Sequence, residues 1–310
     1  MAVELDDAQI ATTSGAGLRL ADRLRPSPWR QPWGMEGFTC LYILWSIVPI
    51  AIAVLFSFNK GASQSSWQGF STKWYVGNSV QSVLHNPVLH QAVIQTLVLA
   101  VLTTAICVPI GVAFAIGIDR WRSRTSATLN LTMIFSFVIP ELLLAIALFL
   151  LVTQALTFIG LGTEAEVAGL VVWNLSWPAV IVRARLVSIG RSYEEAATDL
   201  GASRLGAIRR VLLPMLMPAV FASAVLVFAS TVDDFVIVEQ LSSTAATQPM
   251  SVLIYANVHG GLSGPALNAL ATIMLLFSLL AALIGLLAYR WMTRGERQSS
   301  VEALTNIAGM

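Results

Sequence analysis

Six stretches of this chain, residues 38–58, 91–118, 131–152, 167–182, 214–238 and 266–289, are apolar runs, and nearly all charged residues fall between them. A run of roughly twenty apolar residues spans a hydrocarbon core of about 30 Å as a helix. In lipid each backbone N–H and C=O must find its partner inside the segment, which leaves helices or closed barrels. Continuous apolar runs of this length are helical. The sequence therefore predicts an all-α, polytopic membrane protein with six transmembrane helices. Composition agrees: 56% of the 310 residues are hydrophobic and only 11% are charged, against about 25% charged in soluble domains.

The net charge of +1 hides a strong asymmetry. With six spans placed, sixteen of the eighteen basic residues fall on one side and only Lys60 and Lys73 on the other. Arginines near span ends mark the cytoplasmic face, so both termini and the loop after span four are expected in the cytoplasm of a plasma membrane. The domain reading follows: a cytoplasmic tail over 1–37, span one, an extracytoplasmic loop over 59–90, a core over 91–291 with a cytoplasmic loop at 184–213, and a cytoplasmic tail over 292–310. The tail's Arg19, Arg23, Arg25 and Arg30 precede a Pro/Trp-rich patch that either rests on lipid headgroups or is inert. Glu164 and Glu166 are read as part of an outside loop before span four. Cys40 and Cys107 sit in apolar runs and support neither a disulfide framework nor a metal site.

Between spans four and five lies the longest polar helical segment, YEEAATDLGASRLGAIRRVLLP from Tyr193 to Pro214. Ser192 stands three residues before Glu195, the spacing of a capping box, and predicts a helix starting near Tyr193. Gly201 suits a left-handed close, Ser203 suits the cap of a second short helix, and Pro214 suits the first turn of the long apolar helix that follows.

Charged side chains inside a membrane cost about 2.5 to 3.5 kcal/mol each and are functional candidates by default. Here they are Glu141, Asp233 and Asp234, with no Lys or Arg in the body of any span to pair with them. A transported cation would supply the missing charge. Glu141 follows Pro140, which predicts a helix interrupted at membrane depth. Asp233 and Asp234 are about 100° apart on a helix, so both face one cavity only if the helix unwinds or lines a wide pore. The competing reading leaves the Asp pair solvated at the outer headgroups and Glu141 as a paired structural carboxyl. Trp173, Trp177 and Tyr255 offer faces for an alkyl-ammonium or, equally, an interfacial belt. His85, His90 and His259 are scattered in outside loops and form no ligand set. The chain has no phosphate-binding G-x-x-x-x-G-K-[ST] motif and no nucleic-acid module, so it is not read as an enzyme and binds no ATP itself.

Glu195, Ala196, Ala197 and Gly201, then nine residues and Val211, Leu213 and Pro214, resemble the EAA loop of the inner-membrane permease subunits of bacterial ABC importers; Val211 replaces the usual isoleucine. The resemblance implies a type I importer permease core of five or more helices. It implies a loop in which Glu195, Ala196, Ala197, Gly201, Leu213 and Pro214 couple to a cytoplasmic ATPase dimer that uses the ATP. A second homologous permease and an extracytoplasmic substrate-binding protein are the further partners implied. Within the family, residues 96–280 look most like the second permeases of spermidine/putrescine systems, on Pro140-Glu141, on Asp233-Asp234-Phe235-Val236 and on the run from Asn268 to Thr272. That implies a polyamine pathway through Glu141, Asp233 and Asp234. An importer permease for an iron chelate or an oxyanion, or an ion-coupled secondary transporter, are the alternatives. The absence of intramembrane Arg and Lys counts against an oxyanion, and the EAA spacing counts against a secondary transporter.

Overall fold

The computed structural model describes residues 33–63, 66–77, 82–121, 124–259 and 264–308. The chain divides into two units, residues 1–52 and 53–310. Most of helix α1 (Trp33–Ser57) belongs to the first. From Met35 to Ile52 each of its side chains is exposed, including Phe38, Leu41 and Trp45. A helix apolar on all faces is stable in water only if covered, and lipid covers it without cost. The expectations for residues 1–32 lie outside the described residues.

The second unit opens with a loop organised by Asn59, whose Oδ1 accepts from the Gln68 N–H at 2.8 Å and whose Nδ2 donates to the Ser63 and Ser66 carbonyls. Trp74, in the short helix α2 (Lys73–Val76), donates from its indole to the Asn59 carbonyl at 2.6 Å. Helix α3 (Pro87–Arg120) starts before the apolar run at 91, because Asn86 caps it by accepting from the Val88 and Leu89 N–H groups and Pro87 fits its first turn. It runs unbroken through Pro109.

Span three is two helices, α4 (Arg124–Ser136) and α5 (Glu141–Leu150), the latter ending in a π turn at Leu151–Ala155. Pro140 has no N–H to continue a helix and disfavours helical geometry at Ile139, so the chain stops at Ser136 and restarts at Glu141. Span four is longer than the apolar run: α6 (Thr163–Asn174) and α7 (Ser176–Ile189) join through a helical Leu175 into 27 residues. Arg183 and Arg185 stay inside it because Asn130 and the Met215 carbonyl accept from them. Its start overturns one expectation. Glu164 is exposed, but Glu166 is fully buried rather than in an outside loop, and its carboxylate accepts from Gln95 Nε2 at 2.7 Å.

Helices α8 (Ser192–Asp199) and α9 (Arg204–Ala207) follow, and α9 passes through a π turn at Ile208–Leu212 into α10 (Leu213–Asp233). After a break come α11 (Val236–Leu241), α12 (Met250–His259) and α13 (Pro265–Ala308). Among the described residues five helices are long and apolar enough to cross a membrane, and the broken α4–α5 pair stands where the remaining run, span three, was predicted. At the centre is α10, packed against α3, α7 and α13. Val108, Val182, Leu186, Leu216 and Val227 fill one core, and Leu99, Leu170, Ile237 and Leu241 another. Close approach of α3 and α7 needs Gly111, where a Cβ would sit 2.5 Å from Pro178 Cγ.

Candidate functional site

Two helix breaks meet inside the bundle. At the first, Glu141 is the opening residue of α5, where unpaired backbone N–H groups favour a carboxylate. At the second, α10 ends at Asp233 and Asp234 takes an extended conformation (φ −61°, ψ 129°). Its Oδ1 accepts from the Ile237 N–H at 3.1 Å, so the same residue that closes α10 caps α11. Ser251 Oγ on α12 donates to the Asp234 carbonyl at 2.6 Å, satisfying a backbone group that the break leaves open. Packing of α11 against α5 then brings the Glu141 and Asp234 carboxyl groups close together. Two carboxylates close together repel, so such a pair holds either a shared proton or a cation. Among the described residues no ion pair involves either group.

The helix does unwind at the aspartates, and the unwinding sends the two side chains apart. Asp234 is buried beside Glu141, whereas Asp233 is exposed and accepts from Ser278 Oγ of α13 at 3.4 Å. Phe235, between the break and α11, packs its ring 4.4 Å from that of Tyr255, which in turn lies 4.0 Å from the His259 ring. Ser251, Tyr255 and His259 recur every fourth residue, so they lie along one face of α12 leading away from Asp234. Of the other aromatic candidates, Trp177 meets Phe137 edge-on across the span-three break and Trp173 packs against the core.

At the arginine-rich end of the bundle, α8 and α9 form the two-helix loop expected around Gly201. Gly201 has φ +88° and its N–H donates to the Thr198 carbonyl, while Ser203 Oγ accepts from the Gly206 N–H at 3.1 Å. Ser192 is not the cap that its spacing predicted. It is the first residue of α8, and the Arg191 carbonyl accepts from the Glu194 and Glu195 N–H groups instead. Glu195 and Ala196 are exposed and Ala197 half-buried; Leu200 and Leu205 are 91% and 75% exposed. Leu213 and Pro214 lie in the first turn of α10, as expected of Pro214.

Glu194 was missed by the sequence reading. It accepts from Arg120 Nε at 2.9 and 3.0 Å and from Nη2 at 2.5 Å, a bidentate clamp between α8 and the end of α3. Arg120 also pairs with Asp119 and donates to the Gly190 carbonyl. The only signal for this was an arginine closing one helix and a spare acid opening another, too common a pattern to select a pair.

Residues 107–298 match the family described as binding-protein-dependent transport system inner membrane component. The spermidine/putrescine transport system permease protein PotC of Escherichia coli K12 is 33% identical over 84% of this chain and 95% of its own length. The putrescine transport system permease protein PotI of the same strain is 32% identical over 88% and 93%. In fold, the chain is similar to a bacterial ABC transporter involved in import of the acidic polysaccharide alginate, with a TM-score of 0.63 at 17% identity over 89% of this chain and 99% of that one. By these matches the chain belongs to the binding-protein-dependent inner membrane components, the permease subunits of ABC importers.

Proposed function

We propose that this permease carries a polyamine such as putrescine or spermidine, and that Glu141 and Asp234 receive its ammonium groups. The observation that carries the reading is the closeness of two carboxyl groups at facing helix breaks with no cationic side chain paired to either among the described residues. Relatives named for spermidine and putrescine transport support the choice of cation. A protonated amine between the carboxylates removes their repulsion and replaces a shared proton. Phe235 follows Asp234 directly, and its ring against that of Tyr255 suits the methylene stem of an alkyl-ammonium. Asp233, turned toward α13, offers a second and more exposed anionic position, so a polycation holds more than one weak contact and can leave each in turn.

In this reading the arginine-rich end faces the cytoplasm, and both termini lie there. A loaded extracytoplasmic binding protein docks at the opposite face, a second homologous permease completes the pathway, and an ATPase dimer receives α8 and α9. Exposed Leu200 and Leu205 give that docking an apolar anchor. The Arg120–Glu194 clamp passes motion of α8 to α3, whose far half packs on α6 and α12.

The test is ATP-dependent uptake of labelled putrescine and spermidine by proteoliposomes holding the whole importer. Wild-type uptake that collapses in Glu141→Gln, with complex assembly retained, is the expected result. Wild-type vesicles that hydrolyse ATP yet ignore both polyamines would remove the substrate while leaving the permease assignment.

A further inference from the structure

Near the junction of α3, α4 and α7 lies a cleft of about 850 Å³, away from the acid pair and lined by residues of those three helices and by Gly190 and Arg191. Three of its lining residues are arginines, Arg120, Arg183 and Arg191, all half-buried. Their partners are unequal. Arg120 engages both nearby carboxylates, Asp119 and Glu194. Arg183 donates to the neutral amide oxygen of Asn130, and Arg191 donates from Nη2 to the Asp119 backbone carbonyl at 2.8 Å. Among the described residues no carboxylate pairs with either. A guanidinium has five N–H donors, so most of the donor capacity of both side chains faces the cleft or solvent.

Two half-buried cations next to a lipid–water boundary call for a counter-charge. Three arginines against two carboxylates leave one positive charge in excess, of which the carbonyl end of α7 offsets about half an elementary charge at most. Chloride or water would serve an exposed arginine, but the cleft walls are not uniformly polar. Ile118, Ala127, Leu186 and Val187 alternate with the arginines, and Val187 is 68% exposed. Arg183 lies on α7 and Arg191 just beyond its end, with Leu186 and Val187 between them in the chain. An amphiphile with a small anionic head fits this better than a free ion does.

We propose that the cleft binds a phosphate-bearing anion, in the membrane the phosphodiester headgroup of an anionic phospholipid. Its oxygens accept from Arg183 and Arg191 in the fork geometry that guanidinium offers phosphate, and its glycerol and upper acyl carbons cover the exposed Val187 and Ala127. The bound lipid sits against the Arg120–Glu194 clamp and so braces the root of the α8–α9 loop. The inference rests on the membrane placement proposed above and is independent of the substrate.

The test uses the whole importer in nanodiscs of phosphatidylcholine with a graded fraction of phosphatidylglycerol, followed by native mass spectrometry of lipid retained on the released complex. Wild type is expected to retain phosphatidylglycerol, and Arg183→Gln and Arg191→Gln each to need roughly fivefold more of it for equal retention, the effect of one basic residue at an anionic surface. Arg183→Lys, which keeps charge and bulk but not the fork, should fall between. Arg290→Gln, on α13 and not among the residues lining the cleft, should retain as wild type does. Inorganic phosphate added in pure phosphatidylcholine separates the sources: thermal stabilisation of wild type but not of Arg191→Gln assigns the site to free phosphate as well. Equal retention by all variants, or equal loss with Arg290→Gln, would overturn the site in favour of diffuse surface charge. Uptake of polyamine is measured in proteoliposomes of the same lipid compositions, so loss of the substrate reading and loss of the lipid site register separately.

Discussion

At Asp234 one carboxyl group caps α11 through the Ile237 N–H and also lies close to Glu141. The two roles separate by substitution. Asp234→Asn keeps an oxygen for the cap and removes the charge, so uptake should fall roughly ten- to a hundredfold, the worth of a charged hydrogen bond of about 1.5 to 3 kcal/mol, at an unchanged melting temperature. Asp234→Ala removes the cap as well, and the melting temperature should drop with the loss of about 1 kcal/mol. Asp233→Asn, exposed and held only by Ser278 at 3.4 Å, should cost less in uptake than Asp234→Asn; equal losses would show that both aspartates bear on the cation alike. All three acids were legible in sequence because a charge in an apolar run has no cheap explanation. Which aspartate turns inward was not legible, since it depends on the dihedrals of one residue at the break. Glu166 was misread for a related reason: beside Glu164 it looks like loop, and its partner Gln95 is 71 residues away.

The α8–α9 loop shows what short-range sequence signals do well. Gly201 adopts φ +88° and Ser203 caps α9, both on local geometry that the residue types dictate. A Cβ at Gly201 meets nothing within 4 Å, so Gly201→Ala should cost only the left-handed backbone strain of about 1–2 kcal/mol. Because that strain lies between the two helices that carry Leu200 and Leu205, the expected outcome is an assembled importer with more ATP hydrolysed per substrate moved. Unchanged stoichiometry would mean that the loop tolerates a new angle. Ser192 warns against reading a capping box alone: the helix begins one residue earlier, and backbone from Arg191 serves where a hydroxyl was expected. At the break after Ser136 the local rule held again, because proline removes a donor whatever surrounds it.

For the whole molecule, orientation is the property on which the proposed partners depend. In a Cys40→Ser background, with Cys107 buried, Ser243→Cys should react with an impermeant maleimide on intact cells and Ser299→Cys only after permeabilisation. The reverse pattern would invert the topology and move the α8–α9 loop away from any cytoplasmic ATPase. Fold class, the number of apolar segments, the place of the span-three break and the glycine hinge were all determined by sequence alone. Each follows from the cost of unpaired backbone in lipid or from one residue's own dihedral limits. Tertiary structure decided which acids lie together, that Glu166 is buried, that Glu194 clamps to Arg120 and that two of the arginines lining one cleft pair with no carboxylate among the described residues. These depend on distances between residues tens of positions apart. Side-chain chemistry limits the possible partners, and only the packing of α3, α5, α7, α10 and α11 selects among them.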